Sequence, residues 1–426
     1  MNCWIVNVTE PIPELDEGAR PFRCSYLAKE LNARGHSVVW WTSTFRHYTK
    51  DFRAQKFTKI PGDLLSFRLL HGPGYKRNRS PRRLIHHDCE AVQFRNEATS
   101  RSERTPDLIF VTLPTLSLAS VAVTIAADFG RSAVLDVNDC WPDHYLNVLP
   151  RLLRPLARPL LSNEYRNLRN TLQNAAAVTA ISKTYLDWAH SNAITRDTNR
   201  DRVYPIGCRS PQRDSKPVLF PEILTRCGLT SKDFIVLFAG TLGPAFDFQA
   251  VLRAAGLLRL RCQRNVQFVF AGTGPEEKRL RREASNRPNV KVLGWIQNHE
   301  ILQQVVASAQ LGLCPYKEGA FMSLPNKPFE FMAAGKPLVS SLRGELWEII
   351  EREKIGVNYE PSDAASLAAS IAEFTRDRVH LQRISRQSRM LFENSFDADS
   401  IYFRFAVFLE DVAAEGRDPA AGKNLP

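Results

Sequence analysis

Phe234-Ile-Val-Leu-Phe-Ala-Gly240-Thr-Leu-Gly243-Pro-Ala-Phe-Asp247 carries six apolar residues into a glycine-bearing turn, and a helical spacing of apolar positions resumes from Phe248 to Leu260. An apolar run of that length, then glycine, then a helix is the strand–turn–helix unit of a parallel sheet. The unit recurs at Val266–Ala271, before Gly272-Thr-Gly274 and a helix near Glu276–Ala284. Val290–Leu293, Leu311–Cys314 and Pro337–Ser340 read as further strands, with helices near Asn298–Ala309, Asn326–Ala334 and Asp363–Thr375. Strands alternating with crossover helices predict a doubly wound α/β domain.

Working outward, the first half shows the same alternation. Trp4–Val8, Ser37–Thr42, Leu108–Thr112, Ala133–Val137 and Ala177–Ala180 read as strands, and Leu27–Arg34 as a helix closed by Gly35. The uncharged stretch Leu108–Ala127 has the length of a membrane span, but Pro114 divides it into a buried strand, a turn and a helix. Tyr204–Lys232, with Pro205, Pro211, Pro217 and Pro221, reads as the connection between halves. The expected architecture is α/β with two Rossmann-like parallel-sheet domains, 1–207 and 208–395, facing each other across a cleft. A helix at 396–413 crosses back to the first domain, and 414–426 forms a flexible tail. Ligands of such sheets bind beyond the carboxyl ends of the strands, where the glycine turns lie.

The 426 residues exceed what one core organises, and 44% hydrophobic with 24% charged residues excludes a disordered or fibrous chain. Eight cysteines without a C-x-x-C pair are expected to be reduced thiols rather than zinc ligands. The start of the chain has neither a basic segment nor a cleavage site, which favours the cytoplasm. A net charge of +12 suits an anionic partner.

Three motifs bear on chemistry. Glycines at Gly240 and Gly243 let backbone N–H groups approach phosphate oxygens, although such turns also occur as plain connections. Gly272 and Gly274 lack the G-x-G-x-x-G spacing of dinucleotide sites. In Pro325-Asn-Lys327-Pro-Phe-Glu330-Phe-Met-Ala-Ala334-Gly335-Lys-Pro337, residues 327, 330 and 334 share one helix face. A cation there can neutralise a diphosphate and a carboxylate can accept hydrogen bonds from ribose hydroxyls. Spacing alone equally allows an ordinary surface Lys–Glu pair.

The order of these motifs, with Val290-Lys-Val-Leu-Gly-Trp295 and Gly344-Glu345, resembles glycosyltransferase family 4, a retaining family of the GT-B fold. Ala28–Val38 and Leu135-Asp-Val-Asn-Asp139-Cys-Trp141-Pro142-Asp143 look like the same family, closest to its bacterial branch for O-antigen, capsule or other surface polysaccharide. The resemblance implies a retaining transfer of a hexosyl or N-acetylhexosaminyl group from a nucleoside-diphosphate sugar, UDP-sugar favoured, to a glycan or polyprenyl-diphosphate-linked acceptor. It implies that Glu330 binds the ribose and Lys327 the diphosphate, helped by Gly240, Thr241, Gly243, Gly272 and Asn326. Gly294 and Trp295 fall at the nucleobase. The turn holding Asp16, Gly18, Arg20 and Arg23 faces the donor phosphates and the acceptor. Asp139, Trp141, Asp143 and His144 are acceptor-side candidates, with Asp139, Lys327 and Glu330 the catalytic set. Two departures stand out: Met322 replaces the family's first acid, and Asn138 replaces a histidine common before Asp139.

No organic cofactor is expected, and no D-x-D pair suggests a metal. The basic loop Tyr75–Arg83 and the Arg/Leu stretch Leu149–Arg169 read either as solvated charge or as a patch for the inner leaflet of a membrane; no aromatic platform points to nucleic acid. A UDP-sugar 2-epimerase of the same architecture and a non-catalytic anion- or nucleic-acid-binding protein are the alternative readings.

Overall fold

β-Branched and aromatic runs between glycine turns bury both faces of a strand, which is what a parallel sheet covered by helices requires. The computed structural model describes residues 1–416 except 79, 101, 148, 150, 211–219, 262, 264, 321 and 322. The chain divides into two units, one of Met1–Ile206 with the segment from Asp399 onward, the other of Gly207–Ala398.

In the first unit, β1 (Asn2–Val6), β2 (Ser37–Ser43), β3 (Thr58–Ile60), β4 (Leu65–Leu70), β5 (Leu108–Leu113), β6 (Ser132–Val137), β7 (Ala177–Ala180) and β8 (Arg202–Val203) form one sheet in the order β3-β4-β2-β1-β5-β6-β7-β8. All pairs are parallel except β3 with β4. β1 stops at Val6, short of the expected Val8. The Asn7 carboxamide oxygen accepts from the backbone N–H groups of Thr9 and Glu10 and bends the chain out of the sheet. Strands β3 and β4 escape a reading by apolar run, because Arg68 and Ser66 interrupt Leu65–Leu70. Leu108–Ala127 is strand β5, a turn at Pro114 and the helix Leu116–Asp128.

The helix Ala398–Glu415 packs on this first unit. Phe405 stacks on Tyr204 with ring centroids 4.1 Å apart, Tyr402 donates to the Ile206 carbonyl at 3.0 Å, and Glu410 pairs with Arg34 and His36. Ala414 and Glu415 are helical rather than part of a loose tail; 417–426 lie outside the described residues.

In the second unit, β9 (Phe234–Ala239), β10 (Val266–Ala271), β11 (Val290–Gly294), β12 (Leu311–Cys314), β13 (Leu338–Ser340) and β14 (Gly356–Asn358) are all parallel, in the order β11-β10-β9-β12-β13-β14. This order reverses direction between β9 and β12, and the crevice at such a switch point is where a doubly wound sheet takes its ligand. In the first unit the corresponding switch lies between β1 and β5.

Candidate functional site

The second-unit site starts from three glycines at the carboxyl ends of β9, β10 and β11. Gly240 N–H donates to Ala271 and Gly272 N–H to Gly294, at 2.8 and 2.7 Å, so the three turns are pinned edge to edge. Gly272 has φ +144°, and a Cβ there would sit 1.9 Å from the Gly240 carbonyl oxygen, so only glycine fits. Gly243 is buried and Thr241 exposed in the turn that follows. Asp247 then caps the helix Phe248–Leu260 by accepting from Ala250 N–H.

Across the switch point, the β12 connection delivers Lys327 at the start of the helix Lys327–Ala333. Its ammonium lies 4.1 Å from the Phe246 ring centroid and 4.9 Å from that of Phe238. Its side chain passes directly over Gly240, where a Cβ would be 2.1 Å from Lys327 Cε. Burial lowers the Lys327 pKa to about 8 against the raising influence of Cys314 and Glu330. Burial pushes the Cys314 thiol up to about 12 and keeps it neutral, which leaves the Glu330 carboxylate as the charge that favours the ammonium. Glu330 is half-buried one turn further along the helix.

Structure thus brings Gly240, Gly272, Gly294 and Lys327 into one cluster, with Glu330 on the same helix. Trp295 follows Gly294 and is 64% exposed. Asn326 is exposed and its side chain does not cap the helix it precedes. Met322, the position of the missing acid, lies outside the described residues.

The first-unit candidates divide. Gly18, with φ +73°, and Arg20 stand exposed on the turn after β1, a turn anchored by Asp16, which accepts from both Arg53 and Arg46. Burial raises the Asp16 pKa, but those arginines and the Ile12 N–H outweigh it and hold it at about 2. Arg23 is not an acceptor contact. It is buried, bidentate to Asp136 at 2.7 and 2.7 Å, and donates to the Tyr204 carbonyl at 2.6 Å, because three acceptors inside the core satisfy its fork. Asp143 is likewise committed: its oxygens accept from Tyr165 O–H and, at 2.6 Å, from Trp188 Nε1–H.

Asp139, Trp141 and His144 do line a cavity of about 320 Å³. It opens where Thr9 leaves β1, Pro114 leaves β5 and Asp139 leaves β6, at the switch point of the first sheet. The Asp139 oxygens accept from Cys140 N–H at 2.9 Å and Trp141 Nε1–H at 3.0 Å, and His144 Nδ1 lies 3.6 Å away.

Three lining residues, His47, Arg83 and Tyr145, escaped the sequence reading. Arg83 belongs to the basic stretch expected as solvated charge, yet it is 9% exposed on the helix Pro81–Ala98. Residues 83, 86, 87, 90, 91, 94 and 98 form the buried stripe of that helix, but four of the seven are polar. A search for apolar periodicity passes over such a face.

The sequence profile of the Glycosyl transferases group 1 family matches residues 233–377. A putative colanic acid biosynthesis glycosyltransferase, WcaL of Escherichia coli K12, is 30% identical over 151 residues, 34% of this chain and 37% of that protein. The chain therefore spans little more than a third of the length of the curated relatives it matches. Sucrose-phosphate synthase from Thermosynechococcus elongatus superposes with a TM-score of 0.67 at 17% identity, covering 97% of this chain and 99% of that one. Anabaena HepE, solved in complex with UDP, gives 0.65 at 16% identity, covering 96% and 100%. These structures share the fold, which is that of GT-B glycosyltransferases, and residues 233–377 are similar to the group 1 glycosyltransferase profile.

Proposed function

We propose that the chain is a retaining glycosyltransferase that moves a hexosyl-type sugar from a UDP-sugar to a glycan or polyprenyl-diphosphate-linked acceptor in surface polysaccharide synthesis. The observation that carries this reading is the Lys327 ammonium lying over the Gly240 turn at the switch point of the second sheet. A diphosphate at that turn meets the Lys327 cation. WcaL supports a role in polysaccharide synthesis, and HepE and a trehalose-6-phosphate synthase structure, solved with UDP and UDP-2-fluoro glucose respectively, support a uridine donor. Negative charge grows on the departing diphosphate, and Lys327 stabilises it without a resident metal. The acceptor hydroxyl passes its proton to the departing phosphate oxygen on the same face of the sugar, while Asp139 orients the acceptor. Glu330 accepts from the ribose hydroxyls, with Trp295 beside the base.

A thermal-shift panel of UDP, GDP, ADP and their sugars tests the donor. UDP should stabilise the protein most, and Glu330→Ala should weaken UDP binding by about 1.5–3 kcal/mol, the value of a charged hydrogen bond. Equal stabilisation of wild type and variant by UDP sinks the assignment.

We further infer that the first unit attaches peripherally to the inner leaflet. No helix among the described residues is long and apolar enough to cross a membrane. Leu152, Leu156 and Leu160, however, are 88%, 73% and 84% exposed at four-residue spacing, with Arg158, Arg166 and Arg169 close in sequence. Co-sedimentation with anionic vesicles should fall several-fold in Leu156→Glu/Leu160→Glu and in high salt; unchanged pelleting of that variant contradicts the attachment.

A further inference from the structure

We propose that the first-unit cavity takes an acceptor bearing an oxyanion, a phosphate or a carboxylate on its sugar, and that Arg83 and Tyr145 bind that group. This deepens the glycosyltransferase reading and rests on it for the word acceptor, but the anion site stands on its own geometry.

Arg83 is more than nine-tenths buried, and its Nε–H has no hydrogen-bond partner. One guanidinium nitrogen donates to the Asn78 carbonyl at 3.2 Å, and the guanidinium carbon lies 4.7 Å from the Trp141 ring centroid, so the group is held in place with one donor unspent. A buried, unmatched charged donor is costly unless a ligand supplies the acceptor. The Tyr145 hydroxyl lines the same cavity, is buried, and is also unpartnered; its ring meets Trp141 edge-on at 4.6 Å. Both residues line a cavity of about 320 Å³.

Nearby charge points the same way. Lys50 donates to the Asn78 side chain at 2.5 Å and stands over Tyr75. Burial, then Lys50 and Arg83, push the His47 pKa down to about 4, the mark of a positive surrounding. Of the carboxylates at hand, Asp139 accepts from its own loop, whereas Glu90, 3.2 Å from His86 on the buried face of the helix that carries Arg83, has both oxygens without a hydrogen-bond partner. Asp88 and Glu164 influence Tyr145, but less than Arg83 does. A guanidinium with a hydroxyl beside it suits a phosphate or carboxylate oxygen pair better than a neutral hydroxyl.

The test is calorimetry on the full chain in saturating UDP, with inorganic phosphate, methyl glucuronide and methyl glucoside as probes. One or both anions should bind at least about tenfold more tightly than the glucoside. Phosphate alone indicates a phosphorylated acceptor and glucuronide alone a uronic acid; both support the site. Arg83→Gln should weaken anion binding about ten- to hundredfold, and Tyr145→Phe, which removes only a hydroxyl and leaves the fold intact, about three- to tenfold. Stabilisation by UDP should be unchanged in both variants. Equal binding of glucoside and anions, or anion binding untouched in both variants, overturns the proposal. Anion binding without any stabilisation by UDP keeps the anion site and removes the donor reading instead.

Discussion

Lys327→Met should make the ligand-free protein more stable and nearly abolish the proposed sugar transfer. In the absence of donor, the ammonium is half-buried against Phe246 and Phe238, and the rings recover only part of the hydration it has lost. Its pKa of about 8 lies below the ordinary lysine value, so the unfolded chain holds the proton more tightly than the folded one. The stabilising share of this group is therefore present above about pH 10.5 and is lost as pH falls through about 8. Methionine is free of that loss. The variant should melt higher at pH 7 by about 1–2 kcal/mol, or about 2–8 °C, with a smaller gain at pH 10. Turnover should drop about a hundred- to thousandfold, as for removal of one donor to a developing oxyanion. Calorimetric melting at the two pH values, paired with rates from radiolabelled donor, reads both halves. A variant that melts lower at pH 7, or that keeps its UDP shift, contradicts the placement of this lysine in the donor site.

Asp136→Ala should cost about 3–5 kcal/mol and unfold the first unit well before the second. The carboxylate is wholly buried and accepts from Arg23, Thr179 and Asn138, and Arg23 is itself 3% exposed beneath the Phe405 ring. Burial alone would lower the Arg23 pKa and Asp136 more than offsets it; the guanidinium is so basic in itself that it stays charged when its partner is removed. A naked buried cation is the source of the cost. Arg23→Met/Asp136→Leu, which removes both charges, should recover most of the stability. Urea unfolding followed by tryptophan fluorescence measures both variants. A double variant as unstable as Asp136→Ala would assign the loss to packing and hydrogen bonding rather than to the stranded charge.

Much of the second unit was legible residue by residue. Phe234–Ala239, Val266–Ala271 and Leu311–Cys314 are strands with the bounds their apolar runs predict, and Gly240, Gly272 and Gly294 fall at the turns. These are local features: a strand buried on both faces needs consecutive apolar residues, and a turn with positive φ needs glycine. Lys327 and Glu330 sit one turn apart at the start of a helix, as their spacing predicts. Legibility failed where burial is polar. Arg83 and Arg23 look alike in sequence to Arg77, which is exposed, and Asp143 looks like a free acid until Trp188 and Tyr165 are seen to hold it.

Most strands of both sheets, the glycine turns and the parallel character of all but the β3–β4 pair follow from the sequence by itself, since each depends on residues a few positions apart. Only the tertiary structure decided which charges are spent. Arg23 meets an aspartate 113 residues away, and Arg83 sinks against Trp141 with a donor unpaired. A charged side chain takes its role from the groups desolvated along with it, and the chain fold, not the neighbouring residues, chooses those groups.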